Sequence, residues 1–106
     1  MNSLHLLAAL FSGAFLCNSI PHLTAGLRGE RFPSPFASPP GKGKSSSVVN
    51  VLWGTANLAA GCLLFAAHPF VVGFDLGTLA FFVGFVLIGV PMAHRFEAVR
   101  HADQAK

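Results

Sequence analysis

The stretch VVNVLWGTANLAAGCLLFAA, residues 48–67, decides the fold because it contains no charged side chain. Crossing a hydrocarbon core of about 30 Å takes roughly 20 mostly apolar residues in a helix. Inside lipid the backbone polar groups must be bonded within the segment, which a helix achieves and an isolated strand does not. The stretch therefore predicts a membrane-spanning helix.

Two further stretches have the same character. Residues 4–20 and 76–93 are predominantly apolar, and Pro91 falls near the end of the second stretch, where a missing backbone bond is easiest to tolerate. Charged residues make up 10% of the chain, compared with about 25% in soluble domains. We therefore expect one all-α membrane domain over residues 1–106, with three transmembrane helices. The expected segments are a first span at about 4–20, an interfacial segment at 21–27, a Pro/Ser/Gly-rich loop at 28–47, a second span at about 48–67, a third span at about 76–93 and a C-terminal tail at 94–106.

The first span lacks the marks of a cleaved leader. A signal peptide begins with a positively charged region, but MNSLHLLAAL contains no Lys or Arg. The residues GAFLC, ending at Cys17, also lack the small residues expected before a lipoprotein cysteine. We expect this span to remain as a permanent helix.

Basic residues predict the orientation. All seven lie after the first or the third span: Arg28, Arg31, Lys42, Lys44, Arg95, Arg100 and Lys106. In a three-span chain these two segments share one side of the membrane, and cytoplasmic segments are enriched in Lys and Arg. We expect a multi-pass protein of the bacterial inner (plasma) membrane, with the N-terminus outside and the C-terminus in the cytoplasm. The basic charge then reflects topology, and no nucleic acid partner is expected.

Small and polar residues predict how the helices pack. In the second span they recur at steps of four, three and four, which places them on one helix face. Glycines allow close approach of backbones in lipid, and amides form hydrogen bonds between helices. The first span offers Ala9, Gly13 and Cys17. The predicted packing face of the second and third spans consists of Asn50, Gly54, Asn57, Gly61, Gly77, Ala80 and Gly84.

Histidines form two expected layers. With this topology His5 and His68 lie near the outer surface with Asp75, and His22 and His94 lie near the inner surface. Imidazole binds metals and titrates near neutral pH. Their spacing matches no metal or haem motif, so we expect no bound metal and no cofactor. Cys17 and Cys62 fall in opposite halves of the bilayer, too far apart for a disulfide.

The loop RFPSPFASPPGKGKSSS, residues 31–47, is rich in proline, which removes backbone donors and favours an extended, polyproline-like segment. Its end is no nucleotide-binding P-loop, because Ser38 occupies the position of the first required Gly. Residues 45–47 are suited to cap the second helix, where an anionic lipid headgroup can bind. The candidate contacts to a partner or headgroup are Phe32, Phe36, Lys42, Lys44 and Ser45.

The motifs NSIPH, FPSPFASPPGKGKSS and NVLWG resemble those of small uncharacterised bacterial integral membrane proteins that have a Pro-His near the end of the first helix. The resemblance covers about residues 18–54. It implies a bacterial inner-membrane protein and draws attention to Pro21, His22, the loop and Trp53. It implies no catalytic residue.

Three functions are compatible with these features. The leading expectation is a noncatalytic structural or accessory membrane protein that acts through helix packing and its cytoplasmic Pro-rich loop, either self-associated or in a larger membrane complex. The alternatives are an oligomeric transport or channel component with a polar path at Asn50 and Asn57, and a His-ligated metal or haem electron-transfer subunit. An enzyme is not expected, since the chain has no nucleophile elbow and no paired intramembrane carboxylates.

Overall fold

A computed structural model of the protein describes residues 2–40 and 42–105. In this part of the chain the structure consists of three α-helices and one short two-stranded sheet. The elements are α1 (Ser3–Leu27), β1 (Phe32–Pro33), β2 (Lys44–Ser45), α2 (Ser47–Ala67) and α3 (Leu76–Gln104). All three helices are long and apolar enough to cross a membrane. The predicted all-α, three-span membrane fold is confirmed.

Helix α1 lies between the other two helices. It packs against both α2 and α3, whereas α2 and α3 have little direct contact with each other. The molecule is elongated, with extents of 50 × 23 × 21 Å. The chain therefore forms one bundle built around α1, and most of the surface of α2 and α3 is turned outward.

Helix α1 is longer than the sequence predicts. We expected a span ending near residue 20 and a separate interfacial segment at 21–27, but α1 continues through Pro21 to Leu27. The turn after the proline is held by tertiary packing, because His22, Ala25 and Gly26 are all buried. Proline is tolerated inside membrane helices when neighbouring helices and hydroxyl side chains compensate for the lost backbone bond.

Helix α3 is also longer than predicted. The segment at 94–106 was expected to be a tail, but the helix runs through Pro91 to Gln104. Contacts with the loop hold the extension in place: Phe96 packs against Phe32 in a tilted geometry with ring centroids 4.7 Å apart, and Lys44 forms an ion pair with Asp103. The second predicted span agrees closely with α2.

The loop between α1 and α2 is folded. Strands β1 and β2 pair antiparallel, with Phe32 opposite Ser45 and Pro33 opposite Lys44. Between them the chain makes turns and bends, so the expected polyproline-like segment is wrong. Short-range pairing replaces it, because the Ser34 and Ser45 hydroxyls share a hydrogen bond of 2.6 Å and the Ser34 hydroxyl accepts from Phe36 N.

Local signals fix the helix ends. Asn2, Ser46 and Asp75 are the N-caps, and each side chain accepts a hydrogen bond from the backbone N–H three residues later. At the end of α1, Gly29 adopts φ 75°. Gly29 N donates to Gly26 O and Glu30 N donates to Ala25 O, which is the Schellman arrangement. This turn sends the chain back toward the bundle.

Helices α1 and α3 approach most closely at two glycines. A Cβ added to Gly13 would overlap the backbone carbonyl of Phe81, and a Cβ added to Gly84 would overlap the backbone of Leu10. Only glycine permits this separation. The pair sets the crossing point of the two helices.

Candidate functional site

The buried polar centre of the protein is the contact between His22 of α1 and Asn50 of α2. The two side chains are 2% and 0% exposed. The distance from His22 Nδ1 to Asn50 Oδ1 is 2.8 Å. A fully buried hydrogen bond between polar side chains at one end of a membrane bundle is a candidate for function, because polar groups at such positions are expensive.

Asn50 also joins the loop to the helices. Its Nδ2 lies 3.0 Å from Phe32 O, 3.3 Å from Ser45 O and 3.0 Å from Ser46 O. These three acceptors identify the nitrogen of the amide, so Oδ1 is the acceptor for His22. His22 Nδ1 therefore donates the hydrogen bond to Asn50 Oδ1.

A second set of side-chain hydrogen bonds between α1 and α2 involves Asn18 and Asn57. Asn57 Nδ2 donates to Trp53 O at 2.8 Å, which fixes Asn57 Oδ1 as the acceptor for Asn18 Nδ2 at 3.0 Å. Asn18 Oδ1 is then left at the end of this set, buried and without a hydrogen-bond partner. The two sets of hydrogen bonds have the same direction. In each, an asparagine of α2 donates to a backbone carbonyl and accepts from a side chain of α1.

Aromatic rings surround His22. Its ring centroid lies 5.6 Å from Phe32, 6.3 Å from Phe96 and 6.4 Å from Trp53, each in an edge-on geometry. Phe36 continues the cluster by packing edge-on against Trp53 at 5.2 Å. The loop, α1, α2 and the extension of α3 thus meet at one imidazole, and the rings exclude water from its bond to Asn50.

A cavity of about 320 Å³ opens beside this cluster. The residues that line it come from all three helices and the loop: Asn18, His22, Pro33, Ser34, Pro35, Pro40, Trp53, Met92, Arg95 and Phe96. Like Asn18 Oδ1, Trp53 Nε1 is buried and has no hydrogen-bond partner. A buried polar group without a partner lowers the stability of the fold by about 1–3 kcal/mol. Asn18 Oδ1 and Trp53 Nε1 are therefore unfavourable for folding.

Charged residues rim the same end of the bundle. Arg28 pairs with Glu30, and Lys44 pairs with Asp103 at 2.8 Å. The hydrogen bond from Arg28 and its charge lower the pKa of the Glu30 carboxyl. Arg31 Nη2 donates to Lys44 O. The loop and the C-terminal part of α3, which carry the described basic residues, therefore meet at one end; Lys106 lies outside the described residues.

The predicted packing face has a clear position in the structure. Asn50, Gly54, Asn57 and Gly61 are the buried residues of α2, and Gly77 and Gly84 are the buried residues of α3. Ala80 is half-buried. On α1, Ala9 and Gly13 are buried and Cys17 is half-buried. The amide groups of both asparagines form hydrogen bonds within the chain.

The predicted histidine layers are only partly brought together. The rings of His5 and His68 are in edge-on contact at 4.7 Å, at the end of the bundle opposite the loop. Asp75 caps α3 through Thr78 N. His94 is exposed, while His22 is enclosed by the aromatic cluster. Among the described residues, no three His, Cys, Asp or Glu side chains form a group suited to a metal ion. Cys17 and Cys62 are free thiols.

The loop contacts divide into two groups. Lys42, Lys44 and Phe36 are exposed, and Phe36 is 66% exposed despite its contact with Trp53. Ser45 was expected to contact a headgroup, but it is buried and bonded to Ser34. Phe32 was a candidate contact to a partner or headgroup, but it packs inward between His22 and Phe96. Pairing of β1 with β2 turns both side chains toward the bundle.

Three residues of the site escaped the sequence analysis. Asn18 was noted only within the motif NSIPH, although a polar side chain within an apolar span is itself a signal for an interior position. Ser34 gave no signal, because its role depends on the fold of the loop. Phe96 gave none because residues 94–106 were expected to be an unpacked tail.

Comparison of the chain with protein-family models, with curated protein sequences and with solved structures found no match. The class of protein is therefore defined by the fold alone, as a multi-pass bundle of three helices able to span a membrane.

Proposed function

We propose that the protein is a noncatalytic accessory component of the bacterial inner membrane that recognises a partner through its folded loop. The observation that supports this proposal most directly is the Asn50 side chain, which bonds His22 of α1 and carbonyls on both strands of the loop. A loop held in one conformation loses little entropy on binding, which favours recognition.

The outer surface of the loop suits a protein contact. Phe36 is a large aromatic side chain that is 66% exposed, and it is braced from below by Trp53. Lys42 and Lys44 lie in the same loop and are exposed. An aromatic anchor beside charged residues is the usual composition of an interface centre and its rim.

In the proposed orientation the loop and the C-terminal end of α3 lie in the cytoplasm. The clustering of basic residues at this end supports it. In a background with Cys17 and Cys62 replaced by Ala, we expect Lys42→Cys to react with a membrane-impermeant maleimide only in inverted vesicles. Val72→Cys, at the opposite end, should react only in right-side-out cells. Labelling of both positions from one side would contradict this topology.

Site-specific photocrosslinking tests the recognition surface. A photoreactive amino acid at Phe36 should give one discrete protein adduct in native membranes, which is either a second copy of the chain or a larger complex. The matched control is Val72, which is similarly exposed at 74% but lies outside the loop. Lipid adducts alone from both positions would rule out the loop as the recognition surface.

Removal of the hydrogen bonds between Asn50 and the loop provides an independent check. Asn50→Leu in the Phe36-labelled protein should reduce the adduct severalfold while the protein stays in the membrane. An unchanged yield would mean that the conformation of the loop is irrelevant to the contact.

A further inference from the structure

The turn between α2 and α3, residues 69–74, is apolar throughout. It has the sequence PFVVGF, which contains no polar or charged side chain, and it begins where α2 ends, at the opposite end of that helix from the loop. Val71 is 85% exposed, Val72 is exposed and Phe74 is fully exposed. Large apolar side chains that are exposed side by side indicate a contact with something other than water.

Helix lengths place this turn at a membrane boundary. Helix α2 has 21 residues, and residues 76–94 of α3 contain no Asp, Glu, Lys or Arg. At 1.5 Å per residue each segment is about 30 Å long, which is the thickness of the hydrocarbon core. With Arg95 at one boundary of the core, the turn lies at the other boundary, where the headgroups begin.

Phe74 continues the lipid-facing surface of α3. It lines one open groove together with Leu79 and Phe82, and those two side chains are exposed within the membrane-spanning part of the helix. Lipid covers them, so lipid also reaches the adjoining Phe74. A protein interface usually surrounds its apolar centre with a polar rim, but Asp75, which also lines the groove, caps α3 through Thr78 N. The composition therefore favours lipid over a protein partner.

The backbone of the turn limits how deep it can lie. Residues 69–74 are neither helical nor paired in a strand, and Gly73 N donates to a side chain, Thr78 Oγ1, at 3.0 Å. Backbone groups without partners are costly in hydrocarbon, so the turn stays in the hydrated headgroup layer. Its apolar side chains can still extend from that layer into the acyl chains.

We propose that this turn is an interfacial lipid anchor. Its backbone lies among the headgroups, and the side chains of Val71 and Phe74 insert between the acyl chains of one leaflet. The anchor fixes the depth of the hairpin formed by α2 and α3, two helices with little direct contact with each other. Val72 at headgroup level stays within reach of a water-soluble reagent. The anchor is separate from the loop surface proposed for partner recognition and holds for either orientation of the chain.

Collision measurements on spin labels test the depth of the turn. In protein with Cys17 and Cys62 replaced by Ala, a nitroxide is attached to Phe74→Cys, to Val86→Cys in the middle of α3 or to Lys42→Cys in the loop, and the purified protein is reconstituted in phosphatidylcholine bilayers. A nickel chelate stays in water, whereas oxygen concentrates in hydrocarbon. We expect nickel collisions at position 74 severalfold below those at position 42, and oxygen collisions between those at positions 42 and 86. Nickel collisions as frequent at position 74 as at position 42 would overturn the proposal.

Variants assign the depth to the apolar side chains. With the label at Val71→Cys, Phe74→Asp should raise nickel collisions severalfold, because a carboxylate draws the turn toward water. Phe74→Leu is the matched control, since it keeps an apolar side chain and should leave the collisions unchanged. Phe74 is fully exposed, so neither substitution disturbs the packing of the bundle. Equal nickel collisions in the Asp and Leu variants would show that the side chain at position 74 does not anchor the turn.

Photocrosslinking distinguishes lipid from a protein partner at this surface. A photoreactive amino acid at Phe74 should give lipid adducts in native membranes. A discrete protein adduct in their place would identify the turn as a docking site for another protein, and the lipid anchor would be wrong.

Discussion

The contact between α1 and α2 is joined by side-chain hydrogen bonds, whereas the crossing of α1 and α3 depends on two glycines. Along the first contact Ser12 bonds Gly61 O at 2.8 Å, Asn18 bonds Asn57 and His22 bonds Asn50. At the second, Gly13 and Gly84 bring the backbones together. Lipid supplies no hydrophobic force between helices, so close packing and interhelical hydrogen bonds are the two main means of specifying a neighbour. The contact with α2 uses both, because Gly26, Gly54 and Gly61 also pack too closely for a side chain, whereas the contact with α3 relies on the close packing at Gly13 and Gly84.

The largest expected effect comes from breaking the glycine crossing. Gly84→Ala places a methyl group against the backbone of Leu10, which has no alternative rotamer to relieve the overlap. We expect a loss of about 3 kcal/mol in the free energy of unfolding, measured by denaturation in mixed detergent micelles. The control in the same helix is Gly89→Ala, where the new methyl meets only the Cys17 side chain at 3.2 Å. A loss at position 89 as large as that at position 84 would show that the crossing point is elsewhere.

Breaking the polar contact should have a somewhat smaller effect on stability and a larger effect on the loop. Asn50→Ala leaves His22 and several carbonyls unpaired, so we expect a loss of about 2 kcal/mol. Trypsin should then cleave after Arg31 and Lys44 at least about tenfold faster, since Lys44 and the residue that follows Arg31 are released from the paired strands. Thr24→Ala, which removes only an exposed bond within α1, should change neither quantity. Normal protease resistance in Asn50→Ala would mean that the aromatic cluster alone holds the loop.

The turn that follows α1 lies outside both helix contacts and should matter less. Gly29 has φ 75° and open space around its Cα, so any effect of a side chain arises from the backbone conformation. We expect Gly29→Ala to lower the free energy of unfolding by about 1 kcal/mol. Gly29→Asn should lower it less, because asparagine tolerates this conformation better. Equal losses for Ala and Asn would point to a steric cause.

The smallest effect is expected at the charged rim. Lys44→Gln removes the ion pair with Asp103, which lies at the surface. Such pairs contribute about 0–1 kcal/mol and weaken with salt. We expect the difference from the wild type to fall toward zero between about 0.05 and 0.5 M NaCl. A loss that persists in high salt would show that Lys44 contributes through packing.

The sequence predicted those parts of the fold that depend on the composition and spacing of nearby residues. The scarcity of charge gave the three spans, and the spacing of Asn50, Gly54, Asn57 and Gly61 coincides with the buried face of α2. Helix ends were the poorest prediction. Pro21 and Pro91 act as local stop signals, but contacts made by His22 and Phe96, distant in sequence, carry both helices past them.

The site was harder to predict than the fold. His22 and Trp53 were noticed, but their relation to Asn18, Ser34 and Phe96 depends on a loop whose turns bring residues from four segments together. Proline content indicated an extended chain, while the serine pair at 34 and 45 closes it into a hairpin. No periodicity in the sequence encodes that pairing.

The central position of α1 bears on how the protein is assembled. Helix α1 leaves the ribosome before the two helices that pack against it, and it carries Ser12, Asn18 and His22 before their acceptors on α2 exist. Synthesis of α2 supplies those acceptors, and α3 then docks on the opposite face. The helices can thus assemble in the order in which they are translated, because α1 is already present when each of its two neighbours is made.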